Sequence, residues 1–255
     1  MKYTDLIFDL YGTLVDIHTE ENQTVWKKTA LFFGYYGAPY TARSLRSAFD
    51  TAMTARQAEA GQSYECYPDI PAEQIFAQLF QTRGITENAD ALGVQAAQLF
   101  RVAATRYIRL YPGVRKALAD LRQQGRRLWL LSNAQRVFTA YELRHLGLDT
   151  VFDGIYISSD HGCRKPDKRF LGALLQQQRL NPEACLMIGN DRNTDIAGAK
   201  AAGLATLYLH TNITPPGQAP ADPALHPLHA PADCRHWEVS GANWSALCQI
   251  IENHL

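Results

Sequence analysis

Short apolar runs that stop at polar or turn residues recur along this chain: Leu6-Ile7-Phe8, Leu128-Trp129-Leu130-Leu131, Cys185-Leu186-Met187-Ile188 and residues 205–209. Each has the length of a buried strand, not of a helix. Between them the apolar positions recur at helical spacing, which predicts helices over 114–124, closed by Gly125, over 137–146, over 168–178, and over 194–202, ended by Gly203. A strand is predicted at 154–158, a helix start without room for a long helix at Asn181-Pro182, a short strand around Trp237-Glu238-Val239 and an amphipathic helix over 244–251. Strands alternating with helices imply right-handed βαβ crossovers, hence an α/β fold with a doubly wound, Rossmann-like parallel sheet covered on both faces.

Residues 20–108 have a different character. Val25, Leu31, Phe32 and Phe33 fall at helical spacing among polar residues, as do Ile75, Phe76, Leu79 and Phe80, and then Leu92, Leu99 and Val102. Breaks fall at Gly34-Tyr35-Tyr36-Gly37, at Tyr67-Pro68-Asp69-Ile70-Pro71 and near Gly84. No strand is predicted there. The chain therefore divides into an α/β core of residues 1–16 and 109–255 and a small all-helical unit of residues 17–108, inserted after the first strand. Tyr35, Tyr36, Tyr64 and Tyr67 are expected mostly in the core of that unit. Residues 214–231, rich in Pro, Ala and His, are left without secondary structure, and His226 and His229 are read as loop residues because no ligand accompanies them at metal-binding spacing.

A chain of 255 residues can bury a full core and still carry a smaller unit. Its 25 basic and 25 acidic residues balance, so no whole-chain field favours nucleic acid or an anionic membrane, and a small, anionic substrate fits better. Met1-Lys2-Tyr3-Thr4-Asp5 leads almost directly into the first strand without the regions of a secretory signal, and no apolar run approaches the roughly 20 residues a membrane helix needs. Cys66, Cys163, Cys185, Cys234 and Cys248 are odd in number and scattered, which suits reduced thiols of a cytoplasmic protein.

Candidate chemistry begins at Asp9-Leu10-Tyr11-Gly12-Thr13-Leu14-Val15-Asp16. This stretch puts a carboxylate where a buried strand runs into a turn, beside loop amides, with Gly12 able to turn sharply and approach a ligand. That is where α/β sheets bind ligands, and it makes Asp9 a candidate nucleophile. Three later strand ends carry Ser132-Asn133, Lys165 in Cys163-Arg164-Lys165-Pro166-Asp167, and Gly189-Asn190-Asp191-Arg192-Asn193-Thr194-Asp195.

In order and spacing these four stretches resemble the motifs of the haloacid dehalogenase superfamily, and the helical unit resembles its small cap. The resemblance implies that Asp9 attacks the substrate to form a covalent aspartyl intermediate. It also implies that Thr13 and Ser132 hydrogen-bond the transferred group, aided by Leu10, Tyr11, Gly12 and Asn133, while Lys165 neutralises charge. Bringing Asp9, Asp191 and Asp195 to one sheet edge concentrates negative charge, which is costly without a cation. Mg²⁺ is the natural candidate. By the resemblance its ligands are Asp9, the carbonyl of Tyr11 and Asp191, with Asp195 binding through water or positioning Lys165; Asn190 leaves the fourth-motif assignment open by one residue.

One position departs from the superfamily's phosphatases: the second Asp of the first motif, their general acid and base, is Tyr11 here. Positioned acid–base catalysis is worth about 10²–10⁴ in rate, and a phenol with an ordinary pKa near 10 replaces it poorly at neutral pH. The resemblance therefore implies a hydrolase, and three readings follow. The leading one is a Mg²⁺-dependent phosphatase of a small phosphorylated metabolite. The second is a metal-independent 2-haloacid dehalogenase, whose first motif has the Asp-x-Tyr-Gly-Thr form and whose cap arginine holds the halide, with Arg43 and Arg46 in roughly the right region. The third is a member that kept the fold and binds a metabolite or protein partner without turnover.

Overall fold

The computed structural model describes residues 2–60 and 67–255. In chain order it contains β1 Asp5–Phe8, β2 Val15–Thr19, α1 Gln23–Tyr35, α2 Ala42–Glu59, α3 Ala72–Thr82, α4 Ala89–Ala104, β3 Thr105–Leu110, α5 Val114–Gln123, β4 Arg127–Ser132, α6 Arg136–His145, β5 Gly154–Ile157, α7 Ser158–His161, α8 Lys168–Gln177, β6 Cys185–Gly189, α9 Ala197–Ala201, β7 Ala205–His210, β8 His236–Ser240 and α10 Trp244–His254.

Six strands form one parallel sheet in the order β5-β4-β1-β6-β7-β8. Strand β1 lies between β4 and β6, so the connections leave it in opposite directions, and its carboxyl end faces the crevice where such sheets take ligands. Alternation along β1 serves both faces. Leu6 and Phe8 pack with Leu118, Leu121 and Trp244 on one side, while Ile7 packs with Trp129, Phe170 and Met187 on the other. This is the doubly wound α/β core predicted from the alternation of strands and helices.

Helices α1 to α4 enclose a hydrophobic cluster of their own around Trp26, Phe33, Phe76, Phe80 and Phe100, with the Phe33 and Phe80 rings stacked 3.9 Å apart. Helix α6 of the core adds Val137 and Phe138 to it. The expectation that residues 20–108 hold no strand is corrected: β3 begins at Thr105 and pairs antiparallel with β2, so a two-stranded ribbon carries the chain into and out of the helical insert. Tyr35 and Tyr36, expected in the interior, are exposed at 89% and 43%, and Tyr67 is half-buried. Those two rings project from the end of α1, whose inward face is already filled by Val25, Trp26, Ala30 and Phe33. Tyr64 and Cys66 lie outside the described residues.

Two element boundaries shift beside the site. The strand expected to run through residue 158 stops at Ile157, and Ser158 opens α7. The helix expected from 194 begins earlier as a wide π-type turn, Arg192–Ile196, before α9. Residues 214–231 hold only a single helical turn at Pro223–Leu225. No helix among the described residues is long and apolar enough to cross a membrane.

Candidate active site

Asp9 directly follows β1, its amide donating to the Ile188 carbonyl of β6 at 3.0 Å, and its side chain is buried. The chain then doubles back tightly. The Leu14 and Val15 amides both donate to the Leu10 carbonyl at 2.9 Å, and the Gly12 amide donates to the Val15 carbonyl at 2.8 Å. Gly12 sits at φ +86°, and a Cβ there would overlap the Asn190 side-chain amide. Gly12→Ala is therefore expected to destabilise the fold by more than about 1 kcal/mol, combining the left-handed backbone cost with that overlap, as a denaturant midpoint would show. The Gly12 and Thr13 carbonyls are anchored by Thr211 Oγ1 at 2.8 Å and Trp244 Nε1 at 3.0 Å.

The turn decides which amides face an incoming anion. Gly12 and Thr13 donate inside the turn, whereas among the described residues the Leu10 and Tyr11 amides meet no protein acceptor. Leu10 contributes through its backbone only, since its side chain is in the core.

Lys165 is the electrostatic centre of the site. Its Nζ donates to Asp9 Oδ1, Asp195 Oδ1 and the Leu131 carbonyl, each at 2.7 Å, and the residue is 4% exposed. Burial opposes its charge, but Asp195 and Asp9 more than offset this and hold the ammonium above its ordinary pKa. Burial raises the Asp195 carboxyl, Asp9 raises it further, and Lys165 pulls it down. Thr13 Oγ1 donates to Asp9 Oδ2 at 3.2 Å. The Ser132 hydroxyl at the end of β4 is fully buried and has no partner among the described residues, an orphan polar atom suited to a ligand oxygen.

Two expected contacts are redirected. Asn133, expected at the substrate, clamps the Lys165 main chain instead, accepting from its amide at 2.8 Å and donating to its carbonyl at 3.0 Å. Asp191, expected as the metal ligand of the fourth motif, uses Oδ1 to cap the Asn193 amide at 2.8 Å and to accept from Gln218 at 2.7 Å. The π-type turn is what rotates it, and Asn190, one residue earlier, faces the Asp9 loop in its place. Asn190 is buried, and its Oδ1 accepts from Thr13 Oγ1 at 3.3 Å. Accordingly, Asp9, Asp191 and Asp195 do not come within 4.8 Å of one another as a three-carboxylate group among the described residues. With Lys165 between Asp9 and Asp195, the electrostatic need for a further cation is smaller than the sequence suggested. The Asp9 carboxylate and Asn190 Oδ1, both within reach of Thr13 Oγ1, are hard oxygen donors of the kind that suits Mg²⁺ completed by water and phosphate, and the Tyr11 carbonyl belongs to the same loop.

Arg43 lies exposed on α2, and Arg46 is exposed and 3.8 Å from Asp50 on the same helix, so α2 presents both arginines to solvent. The charged neighbour that the sequence did not disclose is Glu142 on α6. It accepts a short hydrogen bond from the Tyr11 phenol, and Arg101 of α4 donates to both of its oxygens, from Nε at 2.6 Å and from Nη2 at 3.1 Å. Burial raises the Tyr11 phenol well above its ordinary pKa, and Glu142 adds to the rise. Helical spacing marks neither Glu142 nor Arg101 as special, so no sequence signal would have found them. A second contact joins insert and core beside Lys165: Asp69 accepts from Gln135 Nε2 at 2.7 Å and from the Ser158 hydroxyl, and the Arg164 amide donates to the Tyr67 carbonyl at 2.9 Å.

Comparison with known proteins agrees with this geometry. Residues 6–203 match the model of the haloacid dehalogenase-like hydrolase family. A glyceraldehyde 3-phosphate phosphatase of Methanothermobacter thermautotrophicus is 32% identical over 42% of this chain and 47% of its own length, so the match spans about half of that relative. A 5'-nucleotidase of Pseudomonas aeruginosa is 28% identical over 100% of this chain and 98% of its own. The crystal structure of a 2-haloacid dehalogenase from Pseudomonas syringae pv. Tomato superposes with a TM-score of 0.66 over 98% of each chain at 19% identity, a likeness of fold. A parallel sheet with an aspartate at the end of its central strand, a buried lysine bridging that aspartate to a second one, and a family match over most of the chain lead to one assignment: this protein belongs to the haloacid dehalogenase-like hydrolases.

Proposed function

We propose that this chain is a cytoplasmic, Mg²⁺-dependent phosphatase of a small phosphorylated metabolite, with Asp9 as its nucleophile and the helical insert, residues 17–108, as its cap. The observation that carries this reading is the set of donors around Asp9: the orphan Ser132 hydroxyl, Thr13, the Lys165 ammonium and the Leu10 and Tyr11 amides. Such a ring suits the three equatorial oxygens of a phosphoryl group in transit. Curated relatives that act on phosphate esters, the glyceraldehyde 3-phosphate phosphatase and the 5'-nucleotidase, point the same way.

An Asp9 carboxylate oxygen attacks phosphorus, the bond from phosphorus to the leaving oxygen breaks with its electron pair going to that oxygen, and an aspartyl phosphate forms on Asp9. Water then attacks this phosphorus, its protons passing to solvent, and phosphate departs as the Asp9 carboxylate is restored. Lys165 holds Asp9 in place and offsets charge in both steps. Asp9, the Tyr11 carbonyl and Asn190 would hold Mg²⁺, which when bound adds positive charge beside the phosphoryl oxygens.

Tyr11 narrows the substrate. Its phenol gives its hydrogen bond to Glu142 and is held well above its ordinary pKa, so it does not protonate a departing alkoxide at neutral pH. Acyl and aryl phosphates, whose leaving groups need no proton, are the class this site favours. The same feature supports the second reading, a 2-haloacid dehalogenase expelling halide, whereas exposed Arg43 gives that reading no halide clamp.

Purified protein assayed on acetyl phosphate, p-nitrophenyl phosphate, glycerol phosphate and 2-chloropropionate, each with Mg²⁺ and with chelator, separates the readings. Phosphate release that disappears on chelation, with the acyl and aryl substrates faster than the alkyl ester by about 10² or more, is the expected result. Chloride release indifferent to chelator would replace it with the dehalogenase.

A further inference from the structure

We propose that Arg101 and Glu142 are a positioning pair that ties the seating of the helical insert to the alignment of the Asp9 loop, with Tyr11 as the connecting member. The inference rests on the reading of Asp9 as nucleophile and adds residues that the family match does not assign.

Three elements meet at one buried carboxylate. Glu142, 6% exposed on α6, takes Arg101 Nε on Oε1 and both Arg101 Nη2 and the Tyr11 phenol on Oε2. Thr139, one turn earlier on α6, lies 3.1 Å from the same phenol oxygen. Arg101 comes from the last turn of α4, just before β3 returns the chain to the core, and its guanidinium lies 5.5 Å from the Tyr11 ring centroid and 5.3 Å from that of Phe138. Salt bridges between packed helices are common, but this one has an unusual third member. Tyr11 is two residues from Asp9, its amide is one of the two left open to an anion, and its carbonyl is one of the oxygens at the loop.

Holding the phenol fixes one end of the Tyr11 peptide, and Arg101 fixes what holds the phenol. If the insert swings away, the two guanidinium bonds leave with it, Glu142 keeps only the phenol, which Thr139 also touches, and the loop loses its lateral support. Closure of the insert over substrate is then also the event that aligns the loop amides. The two-toothed contact to both carboxylate oxygens specifies Arg, because a lysine ammonium is a point charge that reproduces only one of the bonds.

The test compares wild type with Arg101→Ala, Arg101→Lys, Tyr11→Phe and Arg101→Ala/Tyr11→Phe. Hydrogen exchange of the peptide covering Asp9 to Leu14 is read alongside steady-state kinetics on whichever phosphate ester the wild type cleaves. Arg101→Ala is expected to speed exchange of the Gly12, Thr13 and Leu14 amides by about tenfold and to lower kcat by roughly 10- to 100-fold with little change in KM. The double variant should be no slower than Arg101→Ala alone, since both changes remove one linkage, and Arg101→Lys should fall between it and wild type. Should Arg101→Ala fail to fold, Arg101→Lys and Tyr11→Phe carry the same comparison. Unchanged exchange in the loop, a loss confined to KM, or losses that multiply in the double variant would each overturn the proposal. Turnover that survives Asp9→Asn would instead overturn the nucleophile reading, while the exchange measurement would still decide the pair.

Discussion

Asp9→Asn is expected to abolish turnover, by at least about 10⁴-fold, while leaving the unfolding midpoint unchanged or raised. An amide cannot form the aspartyl intermediate, so activity falls for a chemical reason alone. Stability moves the other way because of what surrounds the residue. In the native site two buried carboxylates share one ammonium, with Lys165 at 2.7 Å from each. Asn at position 9 leaves a one-to-one pair of Lys165 and Asp195 and removes an excess buried charge. Thermal unfolding beside phosphate release measures both halves. A variant that keeps turnover would rule out covalent catalysis through Asp9, and a midpoint that falls by several degrees would show that the native cluster has no excess charge.

Lys165→Met is expected to produce the opposite pairing of effects, losing activity and stability together. Lys165 is nearly fully buried and donates to two carboxylates and the Leu131 carbonyl. Methionine fills much the same volume but leaves Asp9 and Asp195 facing each other without a cation, a loss on the order of 3–5 kcal/mol. For a domain of this size that corresponds to a midpoint lower by roughly 10 °C. The pH dependence follows from linkage. Burial and Asp9 already raise the Asp195 carboxyl, and removing Lys165 takes away the influence that lowers it. A carboxyl whose folded pKa lies above its unfolded value favours the folded state below the unfolded pKa, and that contribution is lost as pH rises through the folded pKa. The variant should therefore recover stability relative to wild type as pH falls from neutral, and Lys165→Met/Asp195→Asn should recover part of it at neutral pH. Equal midpoints for Lys165→Met and wild type would show that the ammonium is not what holds the two carboxylates together.

The parts of the site legible in the sequence were those fixed by strand ends. A buried strand announces itself by an unbroken apolar run, and the residue that follows must emerge at the sheet edge; Asp9, Ser132 and the fourth-motif stretch lie at such positions. What the sequence could not specify was rotation. Whether Asn190 or Asp191 faces the loop depends on how the backbone turns after Gly189, and the π-type turn decides it through bonds to Asn193 and to Gln218, a residue in a segment with no periodic signal at all. The β2–β3 ribbon was hidden because it is mostly solvated: the β3 sequence Thr-Arg-Tyr-Ile-Arg-Leu carries no buried residue and continues the polar and apolar mixture of α4. Arg101 and Glu142 were invisible for a related reason, since a charge on a helix is ordinary until tertiary structure buries it.

The central position of β1 also sets an order of events during biosynthesis. The strand that leads into Asp9 is synthesised well before the two that flank it: Asp5 bonds a residue 122 positions on, in β4, and Thr13 bonds Asn190, 177 positions on, just past β6. Until then Leu6, Ile7 and Phe8 form an apolar segment with two open edges. The helical insert, with its own aromatic cluster, is complete in the nascent chain before either partner strand exists. A chain stalled at that point has the packing among α1 to α4 but neither the Val137 and Phe138 that α6 adds nor the Asp9–Lys165–Asp195 cluster, which makes the interval between residues 104 and 189 the stretch of synthesis in which this protein most needs protection from aggregation.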